Sequence, residues 1–443
     1  MLTAKRLYLY GVLAVVLLPL LVGLSDLLRL ILDGLSDATG AQLLSGSGLA
    51  REDLSLAIAL VAVGAPLWGI HFWLLQRTIR DSADRAEERS SSARATYFFL
   101  ILVSTLTVTA WFSFEILSAL VRAVLLGERP WDLGGSIANV IVFGSAWLLH
   151  VVWRARDLRL APERTAGDWL TRLYLYGALF ILGLTALFTA SETLTLVLRE
   201  AAGLRPAYET FGGWKEALVG PLAGLIVASA MWLGHWAIAS RLTRAPHPMG
   251  SAHRESRTRT GYLLGVVLLC AVTVLVMLSS SLRQAFAEMA GVWRPSDGSR
   301  FIEDVAGPIV ASVPFVAAWW WHARRAAHEA RIFGGPDRHA SVTRAGRLLV
   351  SLVGLGALAV GVAWGIESAL GLFEYWSSRD VVSASMLRDG GTPAAAAALV
   401  GLVIWLSAWV LLQRERASSG IVAARSTARR AYLLLVSGLS VVG

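Results

Sequence analysis

Two sets of residues in this chain have the types and the regular spacing that chemistry would need. The first is acidic. Asp26, Glu115, Glu192 and Glu367 recur at one position of a repeated apolar helix, eighteen residues beyond an Arg/Tyr mark, with Ser280 at the remaining copy. A carboxylate within an apolar span is costly, and its default reading is an ion or proton site. The second set is a series of Trp-x-x-His pairs: Trp68–His71, Trp147–His150, Trp232–His235 and Trp319–His322. A fifth copy, Trp405–Ala408, lacks the imidazole. Neutral imidazole is a common metal ligand, so these pairs offer haem or metal chemistry.

Each set also has a plainer reading. Eighteen residues at 1.5 Å rise cover roughly 27 Å, which places the acids near the far ends of their helices. Arg29 and Arg283 follow their sites by three positions, and Arg122 and Arg199 by seven. Those offsets return to nearly the same helix face and predict local ion pairs. A structural role is therefore the first reading of the acids, and an outer vestibule for a cation or proton is the alternative. The histidines stand close before the first Arg of a linker, where 11 of the 18 tryptophans gather. That crowding reads as an interfacial aromatic belt, with Trp131, Trp214, Trp293 and Trp376 as the belt at the other end. No cofactor and no metal is assigned. The acids and histidines fall at opposite ends of the helices, so they form no direct proton-transfer pair.

The elements that position these residues are apolar helices. The 443-residue chain is 56% hydrophobic and only 16% charged, with mean hydropathy +0.59. Soluble domains carry roughly 25% charged residues. Apolar runs of about 20 residues, enough to cross a hydrocarbon core, recur along its whole length. The Trp-x-x-His copies are spaced 79, 85, 87 and 86 residues apart, a period that signals a repeat architecture. Each closes the second helix (B) of a hairpin. The first helix (A) opens on Arg6/Tyr8, Arg94/Tyr97, Arg172/Tyr174, Arg259/Tyr262, Arg347/Leu349 and Arg429/Tyr432.

The repeat predicts hairpins at 1–93, 94–171, 172–258, 259–343 and 344–427, with 428–443 opening a sixth. RLYLYG occurs at Arg6–Gly11 and Arg172–Gly177, so hairpins pair into four-helix modules. Three modules would need twelve helices, which predicts further sequence after Gly443. The expected fold is all-α: a polytopic integral membrane bundle of at least ten transmembrane helices in parallel repeats. The run Leu7–Leu32 is too long for the apolar part of a signal peptide and reads as a retained first span. Gly220/Gly224 and Gly361/Gly365 have the spacing of close helix contacts.

Of the 40 Lys and Arg, 28 lie in the N-terminus and B-to-A linkers, against 11 of the 31 acids. Basic residues mark the cytoplasmic side, so the N-terminus is expected inside, in the cell (plasma or inner) membrane. The overall +9 is thus a topology signal, and no nucleic-acid partner is expected. The expected partners are the bilayer, anionic lipids at the Arg-rich linkers, and a membrane protein or second copy of this chain. Linker 77–94 reads as solvated helix extension and loop. Cys270 is the only cysteine, which excludes an internal disulfide. No Walker loop, G-x-S-x-G or HExxH is present, so no enzyme activity is expected.

The R-x-Y start (RLYLYG) and the W-x-x-H exit (LWGIHFWLLQR) resemble a bacterial membrane family, the domain of unknown function numbered 5671. The resemblance implies a polytopic membrane protein, in successive copies over nearly the whole chain. It transfers no activity and no catalytic residue. The departures are Leu349 for Tyr, Ala408 for His and Ser280 for the acid. The leading function is a non-enzymatic membrane scaffold, assembly partner or sensor. The alternatives are a transporter or channel using the acids and, last, a haem or metal redox protein using the histidines.

Overall fold

The computed structural model describes residues 2–36, 48–81, 85–129, 133–162, 168–204, 213–289, 302–378, 390–424, 430, 432–434 and 436–437. Those residues form α1 (Leu2–Ser36), α2 (Gly48–Asp81), α3 (Arg85–Arg89), α4 (Ser92–Leu126), α5 (Gly134–Leu160) and α6 (Trp169–Ala201). There follow α7 (Gly213–Arg244), α8 (Met249–Arg254), α9 (Arg257–Met289), α10 (Gly307–Ser378) and α11 (Thr392–Ala424). Among the described residues there are 10 spans long and apolar enough to cross a membrane. The chain is a polytopic helical bundle.

Local chemistry sets the helix ends. Ser91 caps α4 by accepting the Arg94 N–H, and Gly127 ends it at φ 70°. A left-handed residue at that place favours glycine. Pro19, Pro66 and Pro221 lie inside helices, which spans tolerate when neighbours satisfy the freed carbonyl.

The chain divides into two compact units, residues 1–186 with 219–259, and residues 187–218 with 260–443. In the first, α1 packs on α2, α4 and α5, and α4 packs on α5. Gly23 makes the α1–α2 approach close: a Cβ there would meet Leu60 Cβ at 2.8 Å. Leu13, Ile101 and Leu179 are fully buried in this unit. Val15, Val124 and Ile181 stay exposed, as on helices whose outer faces meet hydrocarbon.

In the second unit the C-terminal part of α10 packs on α11. Gly354, Gly361 and Gly401 bring the two backbones together: a Cβ at Gly361 would stand 2.8 Å from the Ala394 carbonyl oxygen. Val267, Ala271, Val350, Val400, Ile404 and Ala408 form a core cluster beside this contact. Of the glycines named from the sequence, Gly361 lies in the contact and Gly365 touches its edge at 4.0 Å, whereas Gly220 faces open space.

The repeat passes from its fourth to its fifth copy at residues 343–344, where the span Ile302–Ile332 has ended and Ser341–Phe373 has begun. Helix α10 runs continuously through this passage, 72 residues in all. The flanking ARRAAHEAR is rich in strong helix formers, which carry the helix on past the apolar run. The 428–443 segment lies largely outside the described residues.

Gly361→Leu is expected to lower stability by about 1–3 kcal/mol through overpacking. Gly356 lies on the same helix with open space at its Cβ. Thermal unfolding in detergent should therefore show a clear fall for Gly361→Leu and little change for Gly356→Leu.

Candidate functional site

The repeated Tyr of helix A and the repeated His of helix B meet. Tyr8 hydroxyl lies 3.3 Å from His71 Nε2, Tyr97 2.9 Å from His150, Tyr174 3.1 Å from His235 and Tyr262 3.1 Å from His322. Each Nδ1 faces the carbonyl four residues back in its own helix, at 2.7–2.8 Å. A carbonyl only accepts, so Nδ1 carries the proton. In the neutral ring Nε2 then accepts from the tyrosine. One imidazole thus satisfies its own helix and ties it to the partner helix.

The fifth hairpin has Leu349 and Ala408 in place of these two residues. Both members are replaced together, as a hydrogen-bonded pair requires. Either one alone in an apolar setting would leave an unsatisfied polar group. Glycine contacts take over there, along Gly354, Gly361 and Gly401.

The second tyrosine of RLYLYG has a separate role. Tyr10 accepts from Arg94 Nη1 at 3.1 Å, and Tyr176 accepts from Arg259 Nη1 at 3.1 Å. Both arginines are the Arg mark of the next A helix. At the corresponding place in the third module Ser351 lies 3.0 Å from the Tyr432 hydroxyl. The hexapeptide therefore contacts its own hairpin through Tyr8 or Tyr174, and the following A helix through Tyr10 or Tyr176.

Around Tyr10 the first unit holds a buried ionic network. Arg94 binds Asp157 through two nitrogens at 2.6 and 3.1 Å. Arg6 binds Glu88 at 2.6 Å, and Tyr10 donates to the same carboxylate at 3.4 Å. Arg154 binds Asp168 and Thr171. Arg94, Asp157, Glu88 and Arg154 are all buried. This corrects the solvated reading of linker 77–94: Glu88 is 2% exposed because two donors hold it against α1. Residues 82–84 of that linker lie outside the described residues.

Sequence reasoning missed this network, although a signal existed. In copies two, four and five an acid stands seven residues after the His position: Asp157, Glu329 and Glu415. Seven residues is close to two helical turns. Asp157 takes the Arg94 mark of its hairpin, and Glu415 takes the Arg347 mark at 3.2 Å together with Arg344 at 2.7 Å. Glu329 takes Arg325 at 2.6 Å.

The belt reading of the histidines also needs correction. His150, His235 and His322 are buried, because tyrosine draws them toward the partner helix. Trp73 and Trp320 do stand outward, at 57% and 56% exposure. Trp147 turns inward and donates to the Tyr174 hydroxyl at 2.7 Å, while Trp68 stacks on Phe72 with ring centroids 4.9 Å apart and Trp232 stacks on Trp236. Trp319 packs against the Ala408 cluster. Of the opposite belt, Trp131 and Trp293 lie outside the described residues, as does the Trp376 side chain.

Of the four acids, Asp26 and Glu115 are half-buried, and Glu192 and Glu367 are exposed. Glu115 accepts from Trp111 Nε1 and Ser136 Oγ, both at 2.8 Å. The expected local pairs do not form. Arg29 binds Asp53 at 3.0 Å, Arg122 lies 3.9 Å from Glu128, and Arg199 lies 3.6 Å from Glu303. Those partner carboxylates stand at the loop ends, where the ions keep part of their hydration. Neither the cavity beside Trp319 and Ala408 nor a smaller one beside Trp409 and Tyr432 is lined by any of the four acids.

The histidines do not fit a haem or metal. Both nitrogens of each ring already face a partner, so ligation would require breaking the tyrosine bond. Among the described residues no three His, Cys, Asp or Glu side chains gather as a ligand group.

These features repeat along the chain, and so does its match to a known family. Domain of unknown function (DUF5671) matches residues 6–131, 97–212 and 207–313, and the chain belongs to that family. The first two windows each hold A, B and A helices, so the family unit is a run of the same tandem repeat. The windows end at residue 313, short of the nearly whole-chain extent expected; the fifth copy beyond them has Leu349 and Ala408 in place of the paired Tyr and His. No curated protein matches the chain, and no solved structure does.

Two tests follow from this geometry. Asp157→Ala strands Arg94 without its counter-ion and is expected to cost about 3–5 kcal/mol, with Arg94→Met plus Asp157→Leu recovering most of the loss. Folded yield and thermal unfolding in detergent measure both variants. Tyr97→Leu with His150→Ala copies the fifth hairpin's pair. A double-mutant cycle should give a coupling of about 0.6–1.7 kcal/mol, and purely additive effects would refute the bond.

Proposed function

We propose that this chain is a non-enzymatic multi-pass membrane protein that works through its helices, as a scaffold, assembly partner or sensor. The observation that carries this reading is the use of its repeated polar residues. Tyr, His, Arg and the linker-end acids bind one another between helices. Such bonds fix helix positions, and among the described residues no three His, Cys, Asp or Glu side chains gather as a ligand group. Outward faces rich in Leu, Val, Ile and Trp are suited to lipid and to other membrane helices.

A transporter or channel is the second reading. It draws on the polar end of the first unit, where Arg29 meets Asp53 and Ser136 meets Glu115. Reconstituted protein, read by solid-supported membrane electrophysiology across proton and cation gradients, separates the two. Silent vesicles are expected. A current that Glu115→Gln abolishes would replace the scaffold reading with transport.

The orientation we propose has the N-terminus and the Arg-rich linkers in the cytoplasm of a bacterial cell, with the chain in its inner membrane. In a Cys270→Ala background, Arg85→Cys should react with a membrane-impermeant maleimide only in inside-out vesicles. Glu128→Cys should react only in right-side-out vesicles. The reverse pattern would invert the topology.

A further inference from the structure

The second unit contains a cavity of about 260 Å³. It lies where the repeat has lost its polar pair: Ala408, at the position of the missing histidine, lines it. Leu264 and Val267 of α9, Trp319 of α10 and Leu411 of α11 form apolar walls. The rim is polar. Thr343 and Arg347 contribute to it, and the buried Thr343 Oγ1 has no hydrogen-bond partner. Arg347 is one-third exposed and shares the single carboxylate of Glu415 with Arg344. Two guanidiniums on one carboxylate leave a surplus positive charge at the rim.

We propose that this cavity binds an anionic phospholipid. An acyl segment occupies the apolar pocket, and the phosphate lies against Arg347, with the Thr343 hydroxyl donating to it. Apolar cavities smaller than this one remain dry and take up hydrocarbon ligands. Within a bilayer the available hydrocarbon is an acyl chain. Basic pockets between helices at the cytoplasmic side hold anionic headgroups, and Arg347 stands at the Arg-rich linker end. A phosphodiester answers both the surplus charge and the orphaned hydroxyl, which a neutral apolar ligand would leave unanswered. In the fourth hairpin His322 and Tyr262 satisfy each other; in the fifth, Ala408 leaves space and no such bond. The inference rests on the chain spanning a membrane with its linker end in the headgroup layer.

The test uses the full chain, delipidated in a maltoside detergent, with thermal unfolding followed against added lipid. Dioleoyl phosphatidylglycerol should stabilise the protein saturably, with an apparent Kd about tenfold below that of dioleoyl phosphatidylcholine. Ala408→Leu fills the pocket and should raise the unfolding temperature without lipid while weakening the phosphatidylglycerol effect about tenfold. Thr343→Val and Arg347→Gln should narrow the difference between the two lipids. Equal stabilisation by both lipids, or an undiminished effect in Ala408→Leu, would overturn the proposal. An equal shift with inorganic phosphate would also overturn it, since it would identify a free-anion site. Protein that stays monodisperse without detergent would instead sink the membrane reading beneath it.

Discussion

Between two apolar helices in hydrocarbon, leucine against leucine gains little over leucine against an acyl chain. The structure of this bundle therefore depends on interhelical polar bonds, and the tyrosine–histidine bond is the one repeated most regularly. The imidazole donates to its own helix and accepts from the next, so every polar atom of the pair is satisfied with no water needed. The alternative arrangement, a buried tyrosine or histidine turned from its partner, leaves a polar group unsatisfied. That penalty selects one register for each A–B hairpin from the many that apolar packing alone would allow.

The arginine–acid bonds act one layer nearer the linkers. A guanidinium on helix A reaches a carboxylate two turns beyond the histidine position on helix B, as Arg94 does with Asp157 and Arg347 with Glu415. Buried ion pairs contribute little net stability but are strongly destabilising when half is removed. Their effect is specificity: a hairpin slipped by one turn would leave charges unpaired. The second tyrosine of RLYLYG extends the same logic from one hairpin to the next A helix.

The fifth hairpin shows what happens when this constraint is relaxed. With Leu349 and Ala408 the polar bond is gone, and the backbones come together at Gly354, Gly361 and Gly401. Close backbone approach replaces a directional bond with dispersion and shape. Near the lost histidine the walls do not close fully, and a cavity of about 260 Å³ lies beside Ala408. Repeat degeneration here is thus a change in the kind of interaction holding the helices, with a local loss of packing as its by-product.

The sequence by itself determined the class of this protein. Apolar run length and the 79–87 residue period are local properties, and in hydrocarbon only a helix satisfies its own backbone, so the helical bundle and its tandem copies could be read directly. The repeated Tyr, His, Arg and Trp were equally visible, as was Leu349 coinciding with Ala408. What they bind was decided by tertiary structure. Tyr97 and His150 stand 53 residues apart, and chain distance says nothing of which faces of two helices will meet. Arg29 chose Asp53 over the nearer Asp26 for the same reason: proximity in sequence offered one partner, while helix packing and access to water favoured another. The burial of Glu88 and the cavity at Ala408 likewise arise from contacts between segments, and no single segment contains the information to specify them.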